Sequence, residues 1–120
     1  MEITDANIIL RYLLNDNASF SVEALNIVEN RQVQFPNEVC AEVVYVLQKV
    51  YNIPRNEIAN SIMSLLDYPN ISANKLVLKE ALKIYENENI DFVDSVLFAN
   101  NHVFGALIHT FDNKIKKLCR

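Results

Sequence analysis

The chain contains a single glycine, Gly105, and this scarcity excludes two common kinds of nucleotide site. P-loops and dinucleotide-binding loops need several glycines at fixed spacing, because the backbone must approach phosphate groups closely. The sequence therefore does not encode a phosphate-binding loop of either type.

Cysteine is also scarce. Cys40 and Cys119 lie far apart, without a CxxC pair, so they form neither a zinc motif nor a disulfide framework. A chain of 120 residues with 51% hydrophobic content is large enough to fold around one core without disulfide bonds or a structural metal. We expect two reduced thiols in a cytoplasmic protein.

Signals for export or membrane insertion are missing. The sequence begins MEITDANIIL, without the basic start and unbroken apolar stretch of a signal peptide. No apolar run approaches the length of a membrane span. These features predict a cytoplasmic location and no membrane partner.

The chain has no excess of positive charge, since its formal net charge is -4. This balance argues against the broad basic surface of proteins that bind nucleic acid nonspecifically. It does not exclude a nuclease, because acidic residues clustered around divalent cations are neutralised when the cations bind.

Apolar residues at helical spacing alternate with short apolar runs, which predicts one α/β domain over residues 1–120. Asn37 is the expected N-cap of the central helix. The alternation implies a small parallel sheet of four or five strands with helices on both faces. The pattern predicts strands at 1–4, 33–35, 71–72 and 106–111, and helices at 8–14, 19–30, 37–50, 54–66, 75–88, 90–101 and 113–118.

Two carboxylates, Asp91 and Asp94, stand at the start of the apolar helix predicted over 90–101. One capping residue would be enough for that helix, so the second acid needs another explanation. Asp94 would lie in the first turn, where the helix macrodipole favours a carboxylate.

Three further acids, Asp5, Glu42 and Asp112, lie where the predicted fold would let them point to the same place as Asp94. Asp5 and Asp112 each follow a predicted strand, and ligands of open parallel sheets bind outside the carboxyl ends of the strands. Glu42 lies early on a helix, beside its apolar face. Clustered carboxylates repel one another and persist best around a cation, and oxygen ligands favour Mg²⁺ or Mn²⁺. Taken singly, each acid is more often a helix cap than a metal ligand.

Four segments in order resemble the motifs of one family. They are DAN at 5–7, AEVVYVL at 41–47, DFVDSVL at 91–97 and TFD at 110–112. With these motifs the chain resembles a PIN domain, and within that family the VapC-type toxins of toxin–antitoxin pairs. The likeness covers nearly the whole chain.

The resemblance implies a metal-dependent endoribonuclease that hydrolyses RNA phosphodiester bonds with metal-activated water. Its catalytic and metal-binding residues would be Asp5, Glu42, Asp94 and Asp112. In the same comparison Asp91 is the helix N-cap, and Asn7 and Thr110 are polar groups that support the ligands.

The family also implies an RNA substrate, a cognate antitoxin and a homodimer. Arg11, one helical turn after Asn7, is a candidate contact for RNA phosphate or for an antitoxin carboxylate, or an ordinary surface arginine. The chain departs from the family pattern in having Ala6 where threonine is common, and in lacking an additional acid soon after Asp112. The second departure leaves open whether one or two ions bind, and it gives room for a catalytically silent PIN-like module that binds RNA or a protein.

Overall fold

A computed structural model of the protein describes residues 1–15 and 18–119, apart from the side chains of residues 18 and 19. The described residues form seven helices and two strands. In chain order these are α1 (Ala6–Leu14), α2 (Ala18–Asn30), β1 (Val33–Gln34), α3 (Asn37–Lys49), α4 (Arg55–Leu66), β2 (Ile71–Ser72), α5 (Lys75–Asn87), α6 (Phe92–Phe104) and α7 (Asn113–Leu118).

The elements belong to two compact units, Met1–Asn74 and Lys75–Arg120. The first unit contains both strands and the helices α1 to α4, and the second contains α5, α6 and α7. All seven predicted helices are confirmed, with bounds within about three residues of the prediction. None of the described helices combines the length and the apolar character that a membrane crossing requires.

The two strands of the first unit are parallel, with Val33 opposite Ile71 and Gln34 opposite Ser72. Val33 and Ile71 are buried while Gln34 and Ser72 are exposed, as the alternation of side chains along a strand requires. The N-terminal segment extends this ladder, because the Thr4 amide donates to the Gln34 carbonyl over 3.1 Å. This pairing fixes the point at which the chain leaves the sheet and enters α1.

The described residues form a smaller sheet than the sequence predicts. Residues 1–4 contribute one isolated bridge, between Ile3 and Gln34, and residues 106–111 form no strand in the described chain. Residues 106–111 alternate between half-buried and exposed, with Leu107 80% exposed and Phe111 completely exposed, but no described backbone pairs with them to supply the hydrogen bonds of a strand. The α/β class and the parallel pairing are confirmed, and a sheet of four or five strands is not seen.

The second unit is built mainly from α5 packed on α6. Tyr85 of α5 and Phe92 of α6 meet edge to face, with ring centroids 5.9 Å apart. Leu82 and Phe98 are among the large side chains with no exposed surface. This packing holds the N-terminal turn of α6, and therefore Asp94, on a rigid base.

The end of α6 uses the only glycine. Gly105 adopts φ 70°, in the left-handed region that costs other residues about 1–2 kcal/mol, and its amide donates to the carbonyls of the last turn. The Asn101 side-chain amide donates to the Ala106 carbonyl over 2.9 Å and holds the chain beyond the turn.

Candidate active site

Asp5 is the N-cap of α1. Its Oδ1 accepts a hydrogen bond from the Ile8 amide over 3.1 Å, and the residue is exposed. A carboxylate has about four lone-pair positions on two oxygens, so one capping bond leaves acceptor capacity for a cation. The capping role and the predicted metal-binding role are therefore compatible. Asn7 follows in the first turn of α1 and is also exposed.

Glu42 lies in the second turn of α3 with its side chain exposed, next to the buried Val43 and Val44. The prediction of Asn37 as the N-cap of this helix is wrong. Pro36 occupies that position, and Asn37 is the first helical residue. Because proline has no side-chain hydrogen-bonding group, the first turn of α3 receives no side-chain cap from this position.

Asp112 is the N-cap of α7. Its Oδ1 accepts from the Lys114 amide over 2.9 Å and from the Ile115 amide over 3.3 Å. Thr110 Oγ1 accepts from the backbone amide of Asp112 over 3.0 Å. Thr110 thus holds the main chain at Asp112, while the carboxylate of Asp112 retains a second oxygen outside the capping bonds.

Asp91 differs from these two acids. It occupies the N-cap position of α6 as predicted, but its carboxylate makes no capping hydrogen bond in the described structure. Only its backbone carbonyl is used, accepting from the Ser95 amide over 2.9 Å and from Ser95 Oγ over 3.0 Å. The prediction that Asp91 is the N-cap of α6 is therefore confirmed for its position and not for its side chain, whereas Asp5 and Asp112 cap their helices with their side chains.

Asp94 lies in the first turn of α6 and is half-buried. Burial raises the pKa of its carboxyl group, and the negative charges of Asp91 and Asp112 raise this pKa further. The carboxylates of Asp91, Asp94 and Asp112 therefore interact electrostatically. A cation bound among them would offset this repulsion and the cost of burial, because it favours the ionised form of each acid.

Arg11 lies on α1 and is half-buried. Its backbone carbonyl accepts from the Asn15 amide over 2.9 Å and from Ser21 Oγ over 3.4 Å, which ties the end of α1 to α2. These contacts concern its main chain, so its role toward RNA or an antitoxin stays a prediction.

The structure places the four predicted ligands in two pairs. Asp5 and Glu42 belong to the first unit, on helices that pack against each other, and Asp94 and Asp112 belong to the second. Within either unit, the described residues include no group of three or more His, Cys, Asp or Glu side chains arranged to hold a metal ion. The four-acid metal site as a whole stays a prediction.

The sequence pattern missed two contacts that hold α7 in place. Lys114 Nζ donates to the Asn89 carbonyl over 2.7 Å, and the His102 ring lies 3.0 Å, through Nε2, from the Leu118 carbonyl. The first joins residues 25 positions apart and the second joins residues 16 apart. Both acceptors are backbone carbonyls, which every residue has, so no motif could have indicated them.

Comparison with known proteins gives one match. The model of the PIN domain covers residues 3–120 and thus spans both units. No curated protein and no solved structure matches the chain. PIN domains are generally nucleases, they bind nucleic acids, and they typically use divalent metal ions. With residues 3–120 matched, the chain belongs to the PIN domain family.

Proposed function

We propose that the protein is a metal-dependent endoribonuclease and the toxin component of a toxin–antitoxin pair, acting in the cytoplasm. The observation that carries the proposal is the PIN match over residues 3–120, a range that contains all four acids. The toxin role rests on the resemblance of the four motifs to VapC-type toxins. A cognate antitoxin and a homodimer are part of the same proposal.

The donor chemistry fits Mg²⁺ or Mn²⁺. Asp5, Glu42, Asp94 and Asp112 offer only oxygen ligands, which hard divalent cations prefer over the nitrogen and sulfur ligands typical of zinc. Asp94 supplies a structural argument as well, because burial and two neighbouring carboxylates disfavour its ionised form without a cation. The four acids would hold the metal.

When bound, the ion supplies activation of water and stabilisation of the leaving oxygen of a phosphodiester. The residues of the chain hold the proposed ligands in place. Asp5 and Asp112 are held at helix starts by their capping bonds, and Thr110 fixes the backbone at Asp112. Asn7 and Arg11 are proposed to contact ligands and RNA phosphate respectively.

Cleavage of RNA by the purified protein with Mg²⁺ or Mn²⁺ tests the proposal. Asp94→Asn should abolish cleavage, because it removes a charged ligand without changing side-chain volume. Asp91→Asn is the matched control, since it removes the same charge from the same helix start and should retain cleavage. Undiminished cleavage by Asp94→Asn, or no cleavage by the wild type with either metal, would refute the assignment.

A second function, a catalytically silent PIN-like module that binds RNA or a protein, is favoured by two observations. The chain lacks an additional acid at 113–115, and no metal-binding group of three side chains is present among the described residues. Calorimetric titration with Mn²⁺ separates the two functions. Binding by the folded wild type supports the nuclease, whereas no binding by a folded protein supports the silent module.

A further inference from the structure

His102 stands in the last turn of α6, the helix whose first turn carries Asp94. Its ring is 15% exposed and lines a cavity of about 300 Å³ together with Glu80, Phe98 and Leu118. Nε2 lies 3.0 Å from the Leu118 carbonyl, at the end of α7. A carbonyl oxygen can only accept, so Nε2 carries the hydrogen and donates it.

This assignment fixes the other ring nitrogen. In the neutral ring Nδ1 is then an acceptor, and it is buried without a hydrogen-bond partner among the described residues. Its nearest charged neighbour is Glu80 of α5, with Oε1 3.9 Å away. The bond to Leu118 is therefore the hydrogen bond that the described structure gives this ring, which also packs against Phe98 with ring centroids 6.4 Å apart.

The contacts of α7 show how it lies on α6. At their N-terminal ends, Asp112 is close enough to Asp94 to raise its pKa, and Lys114 reaches the Asn89 carbonyl just before α6 begins. At their C-terminal ends, His102 meets Leu118. At ~1.5 Å per residue, the axis from Asp94 to His102 is about 12 Å long and that from Asp112 to Leu118 about 9 Å. The two helices therefore run side by side in the same direction.

A helix as short as α7, with six residues, is unstable by itself and takes its position from tertiary contacts. The described contacts of α7 include the Lys114 bond, the burial of Ile115 to 3% exposure and the His102 bond. Of these, the His102 bond holds the C-terminal end, where the half-buried Leu118 side chain also lines the cavity beside Phe98. Removing this bond would loosen the C-terminal end and allow α7 to pivot about Ile115, which would move its N-cap, Asp112, relative to Asp94.

We propose that His102 is a positioning residue that fixes the Asp112 carboxylate relative to Asp94 by binding the far end of α7. The inference rests on the proposed function, since it assigns a purpose to the spacing of two proposed metal ligands. His102 does so without contacting metal or substrate. One rigid helix, α6, then carries one ligand directly and holds the other through its last turn.

Two substitutions separate this role from simple packing. His102→Leu keeps a side chain of similar size in the cavity wall but removes the donor. His102→Gln places an amide donor near the position of Nε2 and should keep the bond to Leu118. Val77→Ala is a control of stability, because it removes a fully buried side chain of α5 that is not part of the cavity wall. All three are compared with the wild type by Mn²⁺ calorimetry, thermal unfolding and amide NMR of α7.

We expect His102→Leu to weaken Mn²⁺ binding by about 10-fold, the lower end of the effect of losing a support around a metal site. The amide shifts of Lys114 and Ile115, which report the Asp112 cap, should move toward unfolded values. His102→Gln should restore both, and Val77→Ala should change neither despite its lower melting temperature.

The inference is overturned if His102→Leu keeps wild-type Mn²⁺ affinity or unchanged α7 shifts. It is equally overturned if His102→Gln is as impaired as His102→Leu, or if Val77→Ala weakens Mn²⁺ binding to the same degree. A wild type that binds no Mn²⁺ refutes the proposed function instead. The NMR comparison then still decides whether His102 holds α7, since it requires no metal.

Discussion

Asp5 is both the N-cap of α1 and a proposed metal ligand, and these roles can be separated by two substitutions at one position. Asparagine is as good an N-cap as aspartate, while alanine cannot accept the bond from the Ile8 amide. Asp5→Asn therefore removes the charge and keeps the cap. Asp5→Ala removes both.

The magnitude follows from the capping geometry. Asp5 makes one side-chain capping bond of 3.1 Å at an exposed helix start, which corresponds to the typical loss of about 1 kcal/mol for an N-cap replaced by alanine. For a domain of this size, that loss lowers the melting temperature by roughly 3–6 °C. Asp5→Asn should leave the melting temperature within about 1 °C of the wild type.

Thermal unfolding by circular dichroism, paired with Mn²⁺ calorimetry, is the assay. Both variants should lose Mn²⁺ affinity, and only Asp5→Ala should lose stability. Asp91→Ala is the control, because its carboxylate makes no capping bond in the described structure, and its melting temperature should not fall. The reasoning fails if Asp5→Asn is as destabilised as Asp5→Ala, or if Asp91→Ala is destabilised as much as either.

The remaining predictions concern charge, backbone conformation and thiol burial. The pKa of Asp94 is raised above its usual 3.8, chiefly by burial, so the ionised carboxylate destabilises the metal-free fold at neutral pH. Asp94→Asn should then melt at a higher temperature than the wild type at pH 7. The difference in melting temperature should shrink as the pH falls and disappear below 3.8, where Asp94 is protonated in both the folded and the unfolded state. A lower melting temperature for Asp94→Asn at pH 7 would contradict this. Gly105→Ala should lose about 1–2 kcal/mol of unfolding free energy through its left-handed conformation alone, since no other described atom lies within 4 Å of the added Cβ. Gly105→Asn should lose less, and chemical denaturation measures both changes. Burial raises the pKa of the Cys40 thiol, so iodoacetamide should modify the less buried Cys119 first and reach Cys40 only when the protein unfolds, as peptide mass spectrometry would show; equal labelling of both in the folded protein would refute the burial argument.

Helices were predictable because their signals are local. Apolar residues at helical spacing and polar residues at the ends locate α1 to α7 from the sequence, and the start of α7 after Asp112 is an example. The stretch at 106–111 shows the limit of such reasoning. Its residues favour a strand, but a strand exists only where another backbone supplies hydrogen bonds, and the described structure offers none there.

Capping roles were only partly predictable. Asp5, Asp91 and Asp112 have the same residue type and the same relation to a following helix, so the sequence cannot rank them as caps. The structure distinguishes them through side-chain rotation. Asp5 and Asp112 turn back toward the amides of the first turn, whereas Asp91 does not.

The sequence by itself determined the family, the order of the four acid motifs and the helical pattern, because these depend on residue types and on spacing along the chain. Tertiary structure alone decided which acids cap helices, that burial and two neighbours raise the pKa of Asp94, and that His102 meets the end of α7. The first depends on side-chain rotation at the helix starts, and the other two depend on distances between residues that are remote in sequence. Such distances arise only when the helices pack.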